Sequence, residues 1–426
     1  MQAEQQPEET CGGLKRKRTA WILLSARIES VHNIEHAEVM MRSQAALAKE
    51  ISKEDGVLYM ALDVGRARWK VALHAGGADV RTKWVQAGDF DKLEERIEEA
   101  GEQFGLADGF VVVSCYEAGR DGFWIHRRLD QEGLINVVVD PGSVRTRKNG
   151  PRAKTDRTDA ERLARELYRY VDGDREALGV VHVPDPEDED TRRMFRERQR
   201  LLKEKTAHRN RIQNILETQG LKEPPDLMST QFIDWLDEVE TPEGRELGES
   251  LRGELKRTRE RLQLVELHLE QLREQRDRYL SGDGDEDKIE LVKRLTMIRG
   301  IGVVTAWGLV VEMFGWRQFQ NRRQLGAYVG LDGRRDDSGD REMDYGITGK
   351  GNARMRKLAI QLAYNWLHWQ PESHLAEWAR ENFPDGDGTV THCGVVALAR
   401  KLLNRLRIFA HGGEPPWGAK VQSPAV

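Results

Sequence analysis

Apolar residues along this chain change their spacing several times, and each change marks a boundary. Val57 to Leu62, Lys70 to His74 and Arg81 to Val85 read as three short strands, separated by turn signals at Gly65-Arg66 and Gly76-Gly77. A meander is the simplest arrangement of the three. A charged helix near Phe90 to Gln103 follows, then an apolar run Phe110 to Cys115, a helix from Gly122 and a second apolar run Ile135 to Asp140. Runs this apolar suit strands buried on both faces. A helix starting near Asp156, with Ala160, Leu163, Ala164 and Leu167 on one face, completes the order β-β-β-α-β-α-β-α.

The pattern then becomes helical. Pro184 and Pro186 with their acidic neighbours mark a linker, and Thr191 to Gln219 reads as one long basic helix. A second long helix spans roughly Gly244 to Leu280, where Leu255, Leu262 and Leu269 repeat every seven residues and Val265, Leu272 and Tyr279 fill the other seam position. That spacing suits a coiled coil, or a helical hairpin with the Thr191 helix. Ser281 to Asp287 is a Gly/Asp-rich break, and the region from Ile289 is helical with glycine-rich turns. Ahead of all this, residues 1–55 carry one helix, Ile34 to Ile51. The expected organisation is an N-terminal extension (1–55), an α/β domain (56–180), a helical coiled-coil linker (190–285), a mainly helical C-terminal domain (289–370) and a tail (371–426).

Composition narrows the class. Hydrophobic residues make up 38% and charged residues 33%, enough apolar material for cores together with long, charged helical surfaces. No apolar run approaches the roughly 18 residues of a membrane span, and the polar start ending in Lys15 to Arg18 lacks the apolar stretch of a secretion signal. A cytoplasmic protein with no membrane partner is expected. Cys11, Cys115 and Cys393 are too far apart in sequence for a CxxC pair or a disulfide framework. The net charge of −5 hides local patches, which decide phosphate contacts. Ser143 to Tyr170 holds nine Lys/Arg against four Asp/Glu, and Gly346 to Lys357 holds four against none.

Four carboxylates carry the candidate chemistry. Asp63 ends the first strand, Glu117 follows the fourth, and Asp156 and Asp159 sit one helical turn apart. Gathered at one sheet edge they would repel one another unless cations neutralised them, and such an oxygen-rich site favours Mg²⁺ or Mn²⁺. Two ions about 4 Å apart can hold both oxygens of an in-line phosphoryl displacement. The most specific piece is Lys154-Thr-Asp-Arg-Thr-Asp159, because its aspartates open a helix directly after a basic loop containing Arg145, Arg147, Lys148 and Arg152. The helix start favours anions and would place Arg152, Lys154 and Arg157 near phosphates.

Asp63 in ALDVG, Glu117 in YEAGRDG and KTDRTDA together resemble the DEDD site of the insertion-sequence-one-ten transposases, whose catalytic domain is similar to RuvC and whose family includes the Piv invertases. The β-β-β-α-β-α-β-α order likewise resembles the ribonuclease-H-like fold. Further along, Leu295 to Ala306 has the form of a helix-hairpin-helix in which Gly300 and Gly302 let backbone amides approach a DNA phosphate. Leu325-Gly-Ala-Tyr-Val-Gly-Leu331, Arg334-Arg-Asp-Asp-Ser-Gly339, Gly346-Ile-Thr-Gly-Lys-Gly-Asn352 and the basic helix Ala353 to Trp369 resemble the second conserved domain of the same family. There a serine followed by glycine is the nucleophile, and Ser338 occupies that position. Nothing in the local sequence supplies a base, so the metal site would have to. Asp336 and Asp337 disfavour phosphate approach, which Arg334, Arg335, Lys350 and Arg354 offset; Asn352 completes the set expected to meet nucleic acid.

The resemblance implies a DNA recombinase that cuts and rejoins strands through a covalent phosphoserine. It also implies a guide (bridge) RNA that pairs with donor and target DNA, and a homo-oligomer, dimer or tetramer, assembled through the coiled coil. Two other readings stay open: a RuvC-like metal nuclease that hydrolyses DNA junctions, and a non-catalytic coiled-coil DNA-binding protein.

Overall fold

The computed structural model describes residues 56–77, 79–119, 122–141, 156–317, 319, 321–338, 341–347, 349 and 351–425, with 156–158, 334–338 and 341–345 as backbone only. The expected helix Ile34 to Ile51 and the loop bearing Arg145, Arg147, Lys148, Arg152 and Lys154 lie outside the described residues, as does Lys350. The chain forms two compact units, Met1–Val183 and Pro184–Val426.

The first unit is built on β1 (Val57–Val64), β2 (Arg68–His74), β3 (Arg81–Gln86), β4 (Val111–Glu117) and β5 (Ile135–Val139), in the sheet order β3-β2-β1-β4-β5. The first three strands are an antiparallel meander, and β4 and β5 run parallel to β1. Helices α1 (Phe90–Phe104), α2 (Trp124–Gln131) and α3 (Asp156–Asp172) supply the crossovers and cover. Alternation sorts the side chains between two cores. Leu58, Met60, Leu62, Trp69, Val71 and Tyr116 pack with Leu93 and Ile97 of α1 and Ile125 and Leu129 of α2. Val57, Tyr59, Ala61, Ala72, Val113 and Cys115 pack with Ala160, Leu163, Ala164 and Leu167 of α3. Each such large side chain contributes about 1.5–3 kcal/mol by leaving water, so both faces must stay covered.

The second unit begins with α4 (Pro186–Thr218), which starts earlier than the expected Thr191. Pro186 stands in the first helical turn, where a missing N–H costs nothing, and Glu187, Asp188 and Glu189 follow where the helix dipole favours acid. The acidic Pro-containing stretch is therefore a helix start rather than a linker. Helix α6 (Glu249–Arg278) returns antiparallel to α4, with Lys205 of α4 paired to Glu266 at 2.7 Å and Arg211 paired to Glu254. Of the heptad residues, Leu255 and Leu262 pack with Ile212 and Leu216 of α4, and Val265 and Leu272 with Leu201. The seam is thus packed within one chain, the hairpin of the two expected arrangements. The short α5 (Gln231–Glu238), unexpected from sequence, caps this pair with Phe232 and Leu236.

Helices α7 (Glu286–Thr296), α8 (Val303–Leu309), α9 (Arg322–Val329) and α10 (Ala353–Trp369) form the C-terminal core with a β6–β7 hairpin (Gly333–Ser338, Arg341–Ile347) between α9 and α10. The stretch from residue 371, expected as a tail, forms α11 (His374–Asn382) and α12 (His392–Ala410). Leu398, Leu402, Leu403 and Leu406 of α12 are buried in that same core. Phe195, about two and a half turns into α4, is buried there too.

Candidate active site

Two of the four expected carboxylates sit side by side. β1 and β4 are paired in parallel register through Leu62 and Tyr116, so Asp63 and Glu117, one residue further along each, are neighbours at the strand ends. Alternation places both on the face of Tyr59, Ala61, Val113 and Cys115, the face covered by α3. Three contacts hold α3 against this face. Tyr59, near the start of β1, meets the ring of Tyr168 edge-on at 5.2 Å; His74 of β2 stacks 5.3 Å from Tyr59; and His74 Nε2 lies 3.3 Å from the Ala164 carbonyl. Helix α3 therefore packs over the start of β1 and the end of β2. Asp156 and Asp159 stand in the first turn of α3.

Asp159 is partly exposed and lies 3.6 Å from Arg162. Among the described residues no three His, Cys, Asp or Glu side chains converge closely enough to hold a metal ion; the Asp156 side chain is not among those described. Glu117 leaves an electrostatic trace on the sheet: burial, and then its charge, push the Cys115 thiol well above the ordinary cysteine range. Burial, followed by Tyr168 and Asp172, pushes Tyr59 up to about 12. Burial also pulls His74 below its usual value, against the raising effect of its bond to Ala164.

Sequence reasoning passed over Lys70. It is the antiparallel partner of Asp63 and shares its face, it is 5% exposed, and its ammonium lies 5.1 Å from the Trp84 ring centroid. A buried cation beside a candidate metal-binding carboxylate lowers the local charge. The signal was available: in Arg68-Trp-Lys-Val-Ala-Leu-His74, a lysine occupies an inward position of a strand whose neighbours are buried.

The candidate serine lies in the other unit. Ser338 is the last residue of β6, opposite Arg341 of β7, so the Asp-Asp-Ser segment is strand rather than loop. Both ends of the hairpin are pinned. Before it, Asp332 pairs with Arg400 of α12 at 3.0 Å. After it, the Asn352 N–H donates to the Tyr328 carbonyl at 2.7 Å, and Gly351 at φ +92° brings the chain so close that a Cβ would stand 2.5 Å from the Tyr328 oxygen.

Residues 60–219 match the family model DEDD_Tnp_IS110, described as a transposase, and residues 292–397 match the model described as the transposase IS116/IS110/IS902 family. A protein of Sinorhizobium fredii designated a transposase, y4rJ, is 34% identical over 380 residues, covering 87% of this chain and 96% of that protein. The chain belongs to the IS116/IS110/IS902 transposase family. The transposase for insertion sequence element IS1328 of Yersinia enterocolitica is 27% identical over 306 residues, 70% of this chain and 82% of that one. The transposase for IS1111A of Coxiella burnetii is 27% identical over 265 residues, 60% and 65% of the two chains.

The transposase's expected nucleic-acid contacts fall into different places. Arg157, Arg334 and Arg335 lie on described backbone, in α3 and β6. Arg354 is exposed in the first turn of α10. Asn352 is committed locally: its side chain accepts from the Arg354 and Met355 N–H groups and donates to the Tyr328 hydroxyl at 3.2 Å. Tyr328 in turn donates to the carbonyl of Glu312, whose fully buried carboxylate holds Arg196 at 2.7 and 2.9 Å. Gly300, at φ +91°, packs on Trp369, which gives it a structural reason to be glycine; Gly302, just before α8, faces open space. No described helix is long and apolar enough to cross a membrane.

Proposed function

We propose that this transposase cuts and rejoins DNA with a DEDD carboxylate site and Ser338 as nucleophile, guided by a bridge RNA. The observation that carries the reading is the register of Asp63 beside Glu117 at the strand ends, on the sheet face that α3 covers. The antiparallel meander followed by two parallel strands fits a ribonuclease-H-like, RuvC-like unit, whose strand ends gather acidic groups.

Asp63, Glu117, Asp156 and Asp159 would hold Mg²⁺ or Mn²⁺; their donor set is all carboxylate oxygen, which suits hard divalent cations. When bound, such ions stabilise developing negative charge on the phosphoryl oxygens and lower the barrier to deprotonating a hydroxyl. Ser338 contributes its hydroxyl. Its oxygen forms a bond to phosphorus, the bond from phosphorus to a deoxyribose oxygen breaks, and that oxygen takes up a proton as the serine hydroxyl gives one up. The phosphodiester energy is kept in the serine ester, so attack by a deoxyribose hydroxyl of a second strand releases Ser338 and rejoins the DNA. Arg334, Arg335, Lys350 and Arg354 flank the serine in sequence and offset Asp336 and Asp337. Pairing by a guide RNA would account for basic backbone-binding segments without an evident base-reading module.

The test is a denaturing gel of purified protein incubated with Mg²⁺ and end-labelled DNA spanning the element's termini. A protein–DNA adduct is expected, lost in Ser338→Ala, with all strand cleavage lost in Asp63→Asn and Glu117→Gln. An adduct that persists in Ser338→Ala removes the serine, and free cleaved ends without adduct favour a junction nuclease. Sequencing of copurifying RNA tests the guide.

A further inference from the structure

We propose that the outer face of α10 is a track for unpaired nucleotides, with Tyr364 and Trp369 as its stacking platforms; the proposal rests on the nucleic-acid reading above and adds the site and the single-stranded class of ligand. Arg354, Lys357, Gln361, Tyr364, His368 and Trp369 are the exposed side chains of the helix beyond its first residue. At 100° per residue they spread as a broad stripe over about 140° of the helix surface, with Tyr364 and Trp369 at its two edges, while Met355, Ala359, Leu362, Ala363 and Trp366 fill the buried side.

Three features of that stripe fit one occupant. The first is charge: α10 contains no Asp or Glu in 17 residues, in a chain with 72 acidic and 67 basic residues. Glu372, just past its end, is paired to Lys420 at 2.9 Å. The second is aromatic exposure. Tyr364 is 46% and Trp369 43% exposed, a cost in water that a base stacked on either ring would relieve. Arg299 lies over Trp369, its guanidinium carbon 5.4 Å from the ring centroid, so a cation stands at the ring itself, within reach of an adjoining phosphate. The third is placement. The stripe begins directly after the β6–β7 hairpin that carries Ser338 and ends at the Gly300 turn, which packs on Trp369.

From Arg354 to Trp369 the helix rises about 22 Å, room for roughly six stacked nucleotides at about 3.4 Å each. Alternating cations and flat rings along a groove or face bind single strands without regard to sequence, because every base has a π-face. A duplex offers no unstacked base to these rings, so it would engage the cations alone. The ligand chemistry is therefore an unpaired strand, from a guide RNA or from opened DNA.

Nuclease-treated full-length protein titrated into fluorescein-labelled dT₁₂, rU₁₂ and a 12-base-pair DNA duplex tests this by anisotropy. Tyr364→Ala/Trp369→Ala is expected to weaken binding of at least one homopolymer ten-fold or more, with duplex affinity changed less than two-fold; Tyr364→Phe/Trp369→Phe is expected to retain binding. The homopolymer that loses more identifies the strand the track serves. Because Trp369 also packs on Gly300, Tyr364→Ala alone is measured beside it and is expected to cost at least three-fold at an unchanged melting temperature. Equal losses for duplex and single strands, or no loss for either homopolymer, overturn the proposal. Asp63→Asn, inactive in cleavage on the reading above, is expected to bind both homopolymers as the unaltered protein does, so failure of the track and failure of the chemistry are read separately.

Discussion

Gly300 lies directly against Trp369: a Cβ at position 300 would stand 2.7 Å from the Trp369 Cβ, and the backbone there has φ +91°. Alanine at 300 therefore meets both a strained conformation and a clash, and Gly300→Ala is expected to destabilise the C-terminal unit by about 2–3 kcal/mol. Gly302, two residues on, has φ −84° and nothing within 4 Å of its would-be Cβ. Gly302→Ala should cost no more than about 1 kcal/mol, the price of a poorer helix cap. Urea denaturation of the two variants checks the contrast, and a loss of DNA affinity in Gly302→Ala at near-native stability would assign this turn to phosphate contact.

Glu312 is wholly buried, with Arg196 bonded to both its oxygens and Arg192 3.6 Å away. One carboxylate thus balances two guanidinium groups, and burial already holds Arg192 below its usual range. Glu312→Gln would leave both cations without their buried counter-charge, with the weaker influence of Glu189 remaining. Removing one partner of a buried pair costs about 3–5 kcal/mol, and the partial exposure of Arg196 puts the expected loss at the lower end of that range. The same change should loosen α4 from the core, which hydrogen exchange along residues 188–200 would report.

How far the sequence revealed this protein depended on what each segment buries. The strands of the first unit were legible because Val57 to Leu62, Phe110 to Cys115 and Ile135 to Val139 are covered on both sides, and such runs have few alternatives. Asp63 and Glu117 could be read together because the strand order and period alone put them at neighbouring strand ends. Lys70 was missed since its meaning depends on the cross-strand partner, which only pairing reveals. The hairpin of Gly333–Ser338 and Arg341–Ile347 escaped because Gly-Arg-Arg-Asp-Asp-Ser has no apolar alternation to mark a strand. Helices α11 and α12 read as a tail although Val395, Leu398, Leu402 and Leu406 recur at helical spacing, and that periodicity was the better guide. Pro186 was read as a breaker, when its tolerance in a first helical turn makes it a start.

His74 offers a pH test. Its Nδ1 accepts from the Gly76 N–H at 3.1 Å and its Nε2 faces the Ala164 carbonyl at 3.3 Å, so the neutral ring with hydrogen on Nε2 satisfies both. Burial, with Arg165 adding repulsion, lowers its affinity for a proton below the ordinary value of about 6.5. The unfolded chain then binds the proton more readily than the folded one. The stability due to neutral His74 is present above about pH 6.5 and is lost as pH falls toward the depressed folded value. Urea midpoints at pH 7.5, 6.5 and 5.5 should fall with acidity more steeply for the unaltered protein than for His74→Phe; parallel curves would exclude the histidine as the cause.

Asn352 separates capping from nucleic-acid contact. Its side-chain oxygen receives two N–H groups at the start of α10, and its amide donates to Tyr328, so every polar atom of the side chain is engaged within the unit. Asn352→Ala is expected to cost about 1 kcal/mol, the usual value of such a cap, and to release the start of α10 from the base of the serine hairpin. Asn352→Asp keeps an acceptor for both N–H groups, gains from the positive end of the helix dipole, and should melt within a few degrees of the unaltered protein. If the residue serves only to hold the hairpin, the aspartate variant retains most of the cleavage activity while the alanine variant loses more. If it touches a phosphate, the order reverses, since the added negative charge repels DNA and the alanine merely leaves a gap. A strand-cleavage assay of the two variants, read beside their melting temperatures, decides between these outcomes.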